Sequence, residues 1–458
     1  MNKSINLTEG NIYKALIKIS LPIMGTSFIQ MAYNMIDMIW IGRVGTSAVA
    51  AVGTAGFYTW FATSLLVLFR ASIEIKVSQE VGAQNYKSAK KYITSGVLAT
   101  LMLAVIYMTI MLVFTKPLIG FYNIKDRAVV KMSEEFLRIV SLGMIFTFIN
   151  PVLTGIFNGT GDSRTPFYIN IVGLIFNIIC DPLLIFGIGP IKAMGVAGAA
   201  IATVLAQGIV TLLFIIIIIR SKNNIYKIKF REEFDIYCVK ILFRIGWAPA
   251  LQNMLFTIFS MILGRIISVW GPVPIAVQKV GSQIEAISWM TAGGISTALT
   301  TFVGQNFGAK KYKRIVQGYY SAIVIAIIVG TFATLLFAIF GEEIFSIFVS
   351  EKESIVAGGI YLRILGYSQL FMCLEITTAG VFNGLSRTGI PSVISIVLTG
   401  MRVPLAYLLS KPYIMGLNGV WWSLSVSSIA KGVLIIGIFI VLLKKQKLFN
   451  NKVILQGN

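Results

Sequence analysis

Histidine is absent from all 458 residues. That one absence removes Ser-His-Asp and Cys-His catalysis, histidine-ligated metal sites and histidine-based pH sensing. Cysteine is scarce. Cys180, Cys238 and Cys373 lie far apart without CxxC spacing, so neither a disulfide framework nor a zinc site is expected. Charge is scarce as well, at 12% of residues, and acids are the scarcer sign, with 18 Asp and Glu against 39 Lys and Arg. No G-x-x-x-x-G-K-[ST] motif occurs, so a P-loop does not bring ATP to this chain.

What fills the chain instead is apolar. Hydrophobic residues make up 56% and the mean hydropathy is +0.83, above the roughly half-apolar composition of soluble domains. A spanning helix needs about 20 predominantly apolar residues. Runs of that kind fall near 20–42, 47–73, 92–114, 135–157, 166–187, 195–219, 246–270, 274–302, 315–339, 357–381, 391–410 and 418–442. The expected fold is therefore an all-α integral membrane protein with twelve transmembrane helices. An even number of spans puts both termini on one side. The connections on that side hold most of the basic residues, among them Lys87, Lys90, Lys91, Arg220, Lys227, Lys229, Lys310, Lys311, Lys313, Arg314, Lys444 and Lys445. Both termini are then expected in the cytoplasm of a cell-membrane protein. The net charge of +21 needs no nucleic acid to explain it. Residues 11–19 (NIYKALIKI) set Ile12, Leu16 and Ile19 on one face, a pattern for a short helix on the membrane surface before the first span.

The second half repeats the first. GIFNGTGDSRTPF (155–167) recurs as GVFNGLSRTGIPS (380–392), SQEVGAQNYKSA (78–89) as GQNFGAKKYKRI (304–315), and the GxxG of 195–198 as that of 416–419. Pro22 and Pro249 open corresponding spans, and all offsets fall within 221–227. Two pseudo-symmetric six-helix lobes follow, at 1–220 and 245–458, joined by a basic cytoplasmic linker at 221–244. Parallel repeats of this kind usually hold substrate at their interface.

Two acids sit deep in apolar runs. An aspartate at the centre of a spanning helix costs about 2.5–3.5 kcal/mol on insertion scales. Asp37 and Asp181 each lie 15 residues past the proline that opens their span, Pro22 and Pro166, and so share a depth. Asn177 is one turn below Asp181 on the same face, and Thr203 has a similar depth on the sixth span. Gln30, Asn34 and Asp37 form an i, i+4, i+7 polar stripe, which faces protein rather than lipid. Two carboxylates with an amide and a hydroxyl are hard oxygen ligands, suited to a monovalent cation or an exchangeable proton. The structural alternative has Asp181 capping a kink at Pro182 and Asp37 bonding to backbone. The repeat speaks against it, because Asp181 and Asn177 fall on Val403 and Thr399, so the second half keeps the scaffold without these acids.

The second half has polar residues of its own. Gln278, Ser282, Glu285 and Trp289 share a face of the eighth span, a charge with an aromatic wall suited to a cationic, apolar substrate. Glu285 pairing with Lys279, Arg265 or Arg402 is the structural alternative. Glu375, near Thr377 and Thr378, is placed for gating, for packing or for ligand binding.

At these residues the chain resembles the multidrug and toxic compound extrusion (MATE) family of the flippase superfamily. The resemblance covers nearly the whole chain. It rests on YNMIDMIWIGRVG (33–45), VGAQNYKSAKK (81–91), GIFNGTGDSRTP (155–166), NIICDPLLIFG (177–187), TFVGQNFGAKKY (301–312) and GVFNGLSRTGIP (380–391). It implies two lobes that rock between outward-open and inward-open states, exporting organic cations or other amphipathic compounds against inward Na⁺ or H⁺. It also implies a coupling site at Asp37, Asn177, Asp181 and Thr203, with Na⁺ at Asp37, Asn177 and Asp181 if that is the ion, no cofactor, contact with membrane lipid, and a monomer. The acid some relatives carry early in the seventh span is missing from LQNMLFTIF (251–259). A lipid-linked oligosaccharide flippase of the same superfamily is the alternative, favoured by Arg265, Lys279, Arg402 and Lys431. An enzyme is not expected: GTGD (159–162) fits the GxGD of intramembrane aspartyl proteases, but Asp162 sits in a polar turn without a YD partner.

Overall fold

Long apolar segments in lipid must satisfy their own backbone, which helices do internally. The computed structural model describes residues 6–187, 192–221, 224–226 and 233–449, and among these are helices joined by short turns, with no strand. In chain order the helices are α1 (Ile12–Val44), α2 (Thr46–Gly82), α3 (Tyr86–Val113), the short α4 (Thr115–Gly120), α5 (Arg127–Leu142), α6 (Met144–Gly159), α7 (Arg164–Pro182), α8 (Gly195–Arg220), α9 (Ile236–Ser268), α10 (Pro272–Gly308), α11 (Tyr312–Ile339), the short α12 (Gly341–Ser346), α13 (Lys352–Gly384), α14 (Gly389–Gly400), α15 (Arg402–Leu409) and α16 (Leu417–Lys444).

Ten helical stretches are long and apolar enough to cross a membrane, and α5 with α6, bent by 47° at Gly143, makes an eleventh. The twelfth expected span lies in α10, which is 37 residues long. Its first half carries Gln278, Lys279, Ser282, Gln283 and Glu285, which lower its apolarity below that of the others. The twelve-helix, multi-pass membrane architecture stands. The segment 11–19, expected as a separate surface helix, is instead the first turns of the continuous α1, and Leu16 and Ile19 are buried.

Two compact units divide the chain: Gly25–Gly246, and Asn6–Met24 with Trp247 onward. The expected linker, 221–244, falls within the first unit, which runs to Gly246; residues 222–223 and 227–232 lie outside the described ones. The first unit packs around Ile73, Leu137, Phe148, Phe157 and Phe214. Tyr226, beyond α8, stacks on Phe157 at 4.7 Å and shares a 2.7 Å hydrogen bond with Thr160. Burial pushes its phenol up, which keeps it neutral. The second unit buries Phe302, Phe345, Phe382, Trp421 and Phe439.

The repeat is visible in close approaches. A side chain at Gly159 would meet the Glu74 carbonyl oxygen at 2.9 Å, and one at Gly384 would meet the Thr300 carbonyl oxygen at 2.7 Å. Both pairs bring a GIFNG or GVFNG helix against the second helix of its own unit. Each unit also receives the entry strap of a helix that ends in the other unit. Ahead of α1, the carbonyl of the buried Leu7 accepts from Asn306 Nδ2 and Arg314 Nε, both at 3.1 Å, within the second unit. Ahead of α9, Glu233 pairs with Lys90 at 3.7 Å and Asp235 with Lys91 at 3.5 Å, within the first.

Candidate functional site

The first unit places Asp37 on α1, Asn177 and Asp181 on α7, and Thr203 on α8. Asn177 and Asp181 are fully buried, one turn apart, and Asn177 Nδ2 donates to Asp181 Oδ1 at 3.1 Å. The Thr203 hydroxyl lies 3.4 Å from Asp37 Oδ2 and 2.9 Å from the Ala199 carbonyl. Asp181 and Asn177, with Thr203, are also the electrostatic neighbours of the Asp37 carboxyl. Three helices, α1 and the consecutive α7 and α8, thus bring these four residues together.

The cluster is short of donors. Asp37 Oδ1, Asn177 Oδ1 and Asp181 Oδ2 are buried without a hydrogen-bond partner. The Tyr33 hydroxyl is buried and unpartnered too, and its electrostatic neighbours are Asp37 and Asp181. Buried polar atoms are normally satisfied, and each one left unpaired costs about 1–3 kcal/mol, more when charged. Four such oxygens in one place fit a hard monovalent cation, with a proton on a carboxyl as the alternative. Tyr33 was missed in the sequence, although its position four residues before Asp37 puts both on one face of α1.

Local chain geometry shapes the site. After Asp181, Pro182 ends α7 and Leu183–Gly187 form a π turn, a feature frequent at functional sites. The turn is backed by α8. Met194 N donates to the Leu184 carbonyl at 3.0 Å, and that same oxygen abuts Gly198, where any side chain would overlap it. Phe186 of the turn meets Trp40 edge-on at 6.0 Å, and Arg43 lies over the Trp40 ring at 4.7 Å. Gln30 and Asn34 are exposed on α1.

The second unit holds a different polar cluster. Glu285 Oε1 accepts from Tyr361 Oη at 2.6 Å, and Ser288 Oγ bonds Gln369 Oε1 at 2.6 Å. Glu375 pairs with Lys431 at 2.9 Å, both buried. Arg402 is buried and donates to the hydroxyls of Ser427 and, at 2.9 Å, Ser428. Gln278 is half-buried, and Ser282 and Trp289 are exposed; the Ser282 hydroxyl returns to the Lys279 carbonyl at 2.9 Å. The partners Tyr361 and Lys431 are far from Glu285 and Glu375 in sequence, and no local spacing signals them. Asp162 is occupied as a turn acceptor, taking Thr165 N at 3.1 Å and Thr165 Oγ1 at 2.7 Å.

The MatE family model matches residues 22–183 and 249–408, once in each half. The chain belongs to the MATE family. Among its relatives is the "Probable multidrug resistance protein NorM" of Thermotoga maritima, 27% identical over 428 residues, covering 90% of this chain and 88% of that one. Another is the "Probable multidrug resistance protein YoeA" of Bacillus subtilis, 26% identical and covering 96% of both chains. A solved MOP superfamily transporter from Pyrococcus furiosus matches 97% of this chain and 99% of its own with a TM-score of 0.89 at 22% identity, a likeness of fold. The family match spans both helices that carry the buried acids, α1 and α7, and reaches into α15 of the second unit.

Proposed function

We propose that the chain is a cation-coupled antiporter of the cell membrane. It exports amphipathic organic cations by alternating access of its two units, and loads Na⁺ or H⁺ at Asp37, Asn177, Asp181 and Thr203. The observation that carries this reading is the group of buried, unpartnered oxygens on Tyr33, Asp37, Asn177 and Asp181. A merely structural pair of acids should have its lone pairs met by donors. Relatives named multidrug resistance proteins support efflux of drug-like compounds. The basic surplus on one set of connections supports cytoplasmic termini. Gln30 and Asn34 in one unit, and Gln278, Ser282, Glu285 and Trp289 in the other, are the side chains for substrate contact. The ion drives transport only as far as its affinities for the two conformations differ.

The flippase reading loses support from the second unit. Of the basic groups that would favour an anionic lipid-linked substrate, Lys431 is paired with Glu375 and Arg402 is bonded to two serines.

The deciding experiment is efflux of a fluorescent organic cation from proteoliposomes under a Na⁺ gradient or a pH gradient imposed separately. Wild type exports under one gradient. Asp37→Asn and Asp181→Asn each lose gradient-driven export by at least tenfold. Mutant export equal to wild type sinks the coupling site. No export by wild type under either gradient, with binding of a pyrophosphate-linked lipid, replaces the antiporter with a flippase.

A further inference from the structure

The two units solve one electrostatic problem in opposite ways. In each, the helix after the GIFN or GVFN motif breaks near a proline, Pro182 or Pro404. In the first unit α7 passes into a π turn beside Asp181; in the second α14 ends at Gly400 and α15 begins at Arg402. Asn177 and Thr399 correspond in the repeat. Both are buried, and each leaves a side-chain oxygen without a partner. The mate of Asp181 is Val403, next to Arg402. On the first helix of the second unit, Phe259, one of the two repeat positions for Asp37, lies so close that a side chain at Gly400 would meet its ring at 3.1 Å. The acid pair of the first unit therefore has no acidic counterpart in these repeat positions, and the residue before the mate of Asp181 is the buried Arg402, whose guanidinium is held by α16.

Charge separates the two clusters further. The first has two carboxylates, and among the described residues no basic side chain pairs with either. The second has the carboxylates of Glu285 and Glu375 and the cations Arg402 and Lys431. Lys431 meets Glu375 at 2.9 Å, and the acids whose charge acts on Arg402 are Glu375 and Glu285. By formal charge the two acids and two bases of that cluster balance. No carboxylate oxygen of it is among the buried unpartnered atoms of the described residues.

We propose that Arg402 is the resident cation of the second unit, a tethered guanidinium that offsets its buried acids as the coupling cation offsets those of the first, so that the protein loads that cation through the first unit only. This rests on the coupling-site reading above. A guanidinium stays charged at all relevant pH values and presents donors in a fixed fork. Held by the Ser427 and Ser428 hydroxyls, it neither leaves nor releases its proton. The first unit alternates between cation-loaded and cation-free, and the second is permanently loaded. Removing Arg402 leaves that cluster with one carboxylate in excess, which recruits a cation from solution.

The test uses the purified full chain carrying Asp37→Asn and Asp181→Asn, which silences the first-unit site. Bound ²²Na⁺ and proton uptake are both measured at equilibrium. The background binds neither. Adding Arg402→Gln creates uptake of about one cation per chain, and adding Arg402→Lys, which keeps the charge, creates none. If Arg402→Gln does not fold, Arg402→Met, of similar reach and without charge, carries the same expectation. A folded Arg402→Gln or Arg402→Met chain that takes up no cation overturns the proposal. The single-site reading is tested separately in wild type: uptake lost on Asp37→Asn supports it, and no uptake in wild type overturns it without touching the Arg402 result.

Discussion

At the scale of single residues, charge balance predicts opposite stability effects in the two units. Asp181 is fully buried beside a second acid, with an oxygen unmet. Replacing it with the near-isosteric amide removes a buried charge that no basic group offsets. Asp181→Asn should therefore raise the melting temperature in cation-poor buffer and abolish any further rise on adding the coupling ion. A kink-capping Asp181 would give the reverse, a fall in melting temperature. Glu375→Gln strands the buried Lys431 ammonium, which costs about 3–5 kcal/mol, and should lower the melting temperature sharply. Thermal melts of both variants with and without the ion decide the matter. The first-unit cluster was legible because its signals are local: a shared depth, a shared face and an acid inside an apolar run. The second-unit cluster was not. Lys431 stands out in the sequence as a base within a span, but that it pairs with Glu375, and Tyr361 with Glu285, is decided only when folding brings them together.

At the scale of elements, twelve spans and the internal repeat could be read from apolar runs and matching motifs, because lipid imposes length and the repeat imposes spacing. The bend at Gly143, the π turn after Pro182 and the break at Met401 could not, because each depends on which neighbouring helix meets the freed backbone. The repeated GxxG shows how. Gly198 backs onto the Leu184 carbonyl and Gly419 onto the Leu409 carbonyl, and in both places a Cβ would overlap the oxygen. Overpacking of this kind costs about 1–3 kcal/mol. Gly198→Ala should push the π turn away from α8, lower the melting temperature and, with the coupling site proposed above, weaken cation binding several-fold, since that turn follows Asp181 directly. Gly419→Ala should destabilise the protein by a similar amount and leave cation binding unchanged. Gly264→Ala, with nothing within 4 Å of the added carbon, is the control, expected neutral or stabilising by up to about 1 kcal/mol. Binding by Gly198→Ala equal to wild type would detach the π turn from the site.

At the scale of the whole molecule, two helices change unit along their length. α1 leaves the second unit after Met24 and continues in the first from Gly25, and α9 leaves the first after Gly246 and continues in the second from Trp247. The expected lobe boundary placed all of the first span in one lobe, because hydropathy marks where a helix crosses lipid and not which neighbours it packs on. Each crossover has a proline within three residues, Pro22 in α1 and Pro249 in α9. A proline inside a helix removes one backbone hydrogen bond and favours bending there. The entry straps hold the first turns of each helix by ion pairs and hydrogen bonds, so under the proposed alternating access the bending falls near these prolines. Alanine is better than proline in a helix interior by about 3 kcal/mol, enough to hold such a helix straight. Pro22→Ala and Pro249→Ala should therefore slow export in proteoliposomes by roughly tenfold or more while equilibrium cation binding at Asp37 and Asp181 stays at its wild-type value. Slowed export with intact binding assigns the prolines to the conformational step. Unchanged export in both variants would place the bending elsewhere, and loss of binding would tie Pro22 to the geometry of the ion site instead.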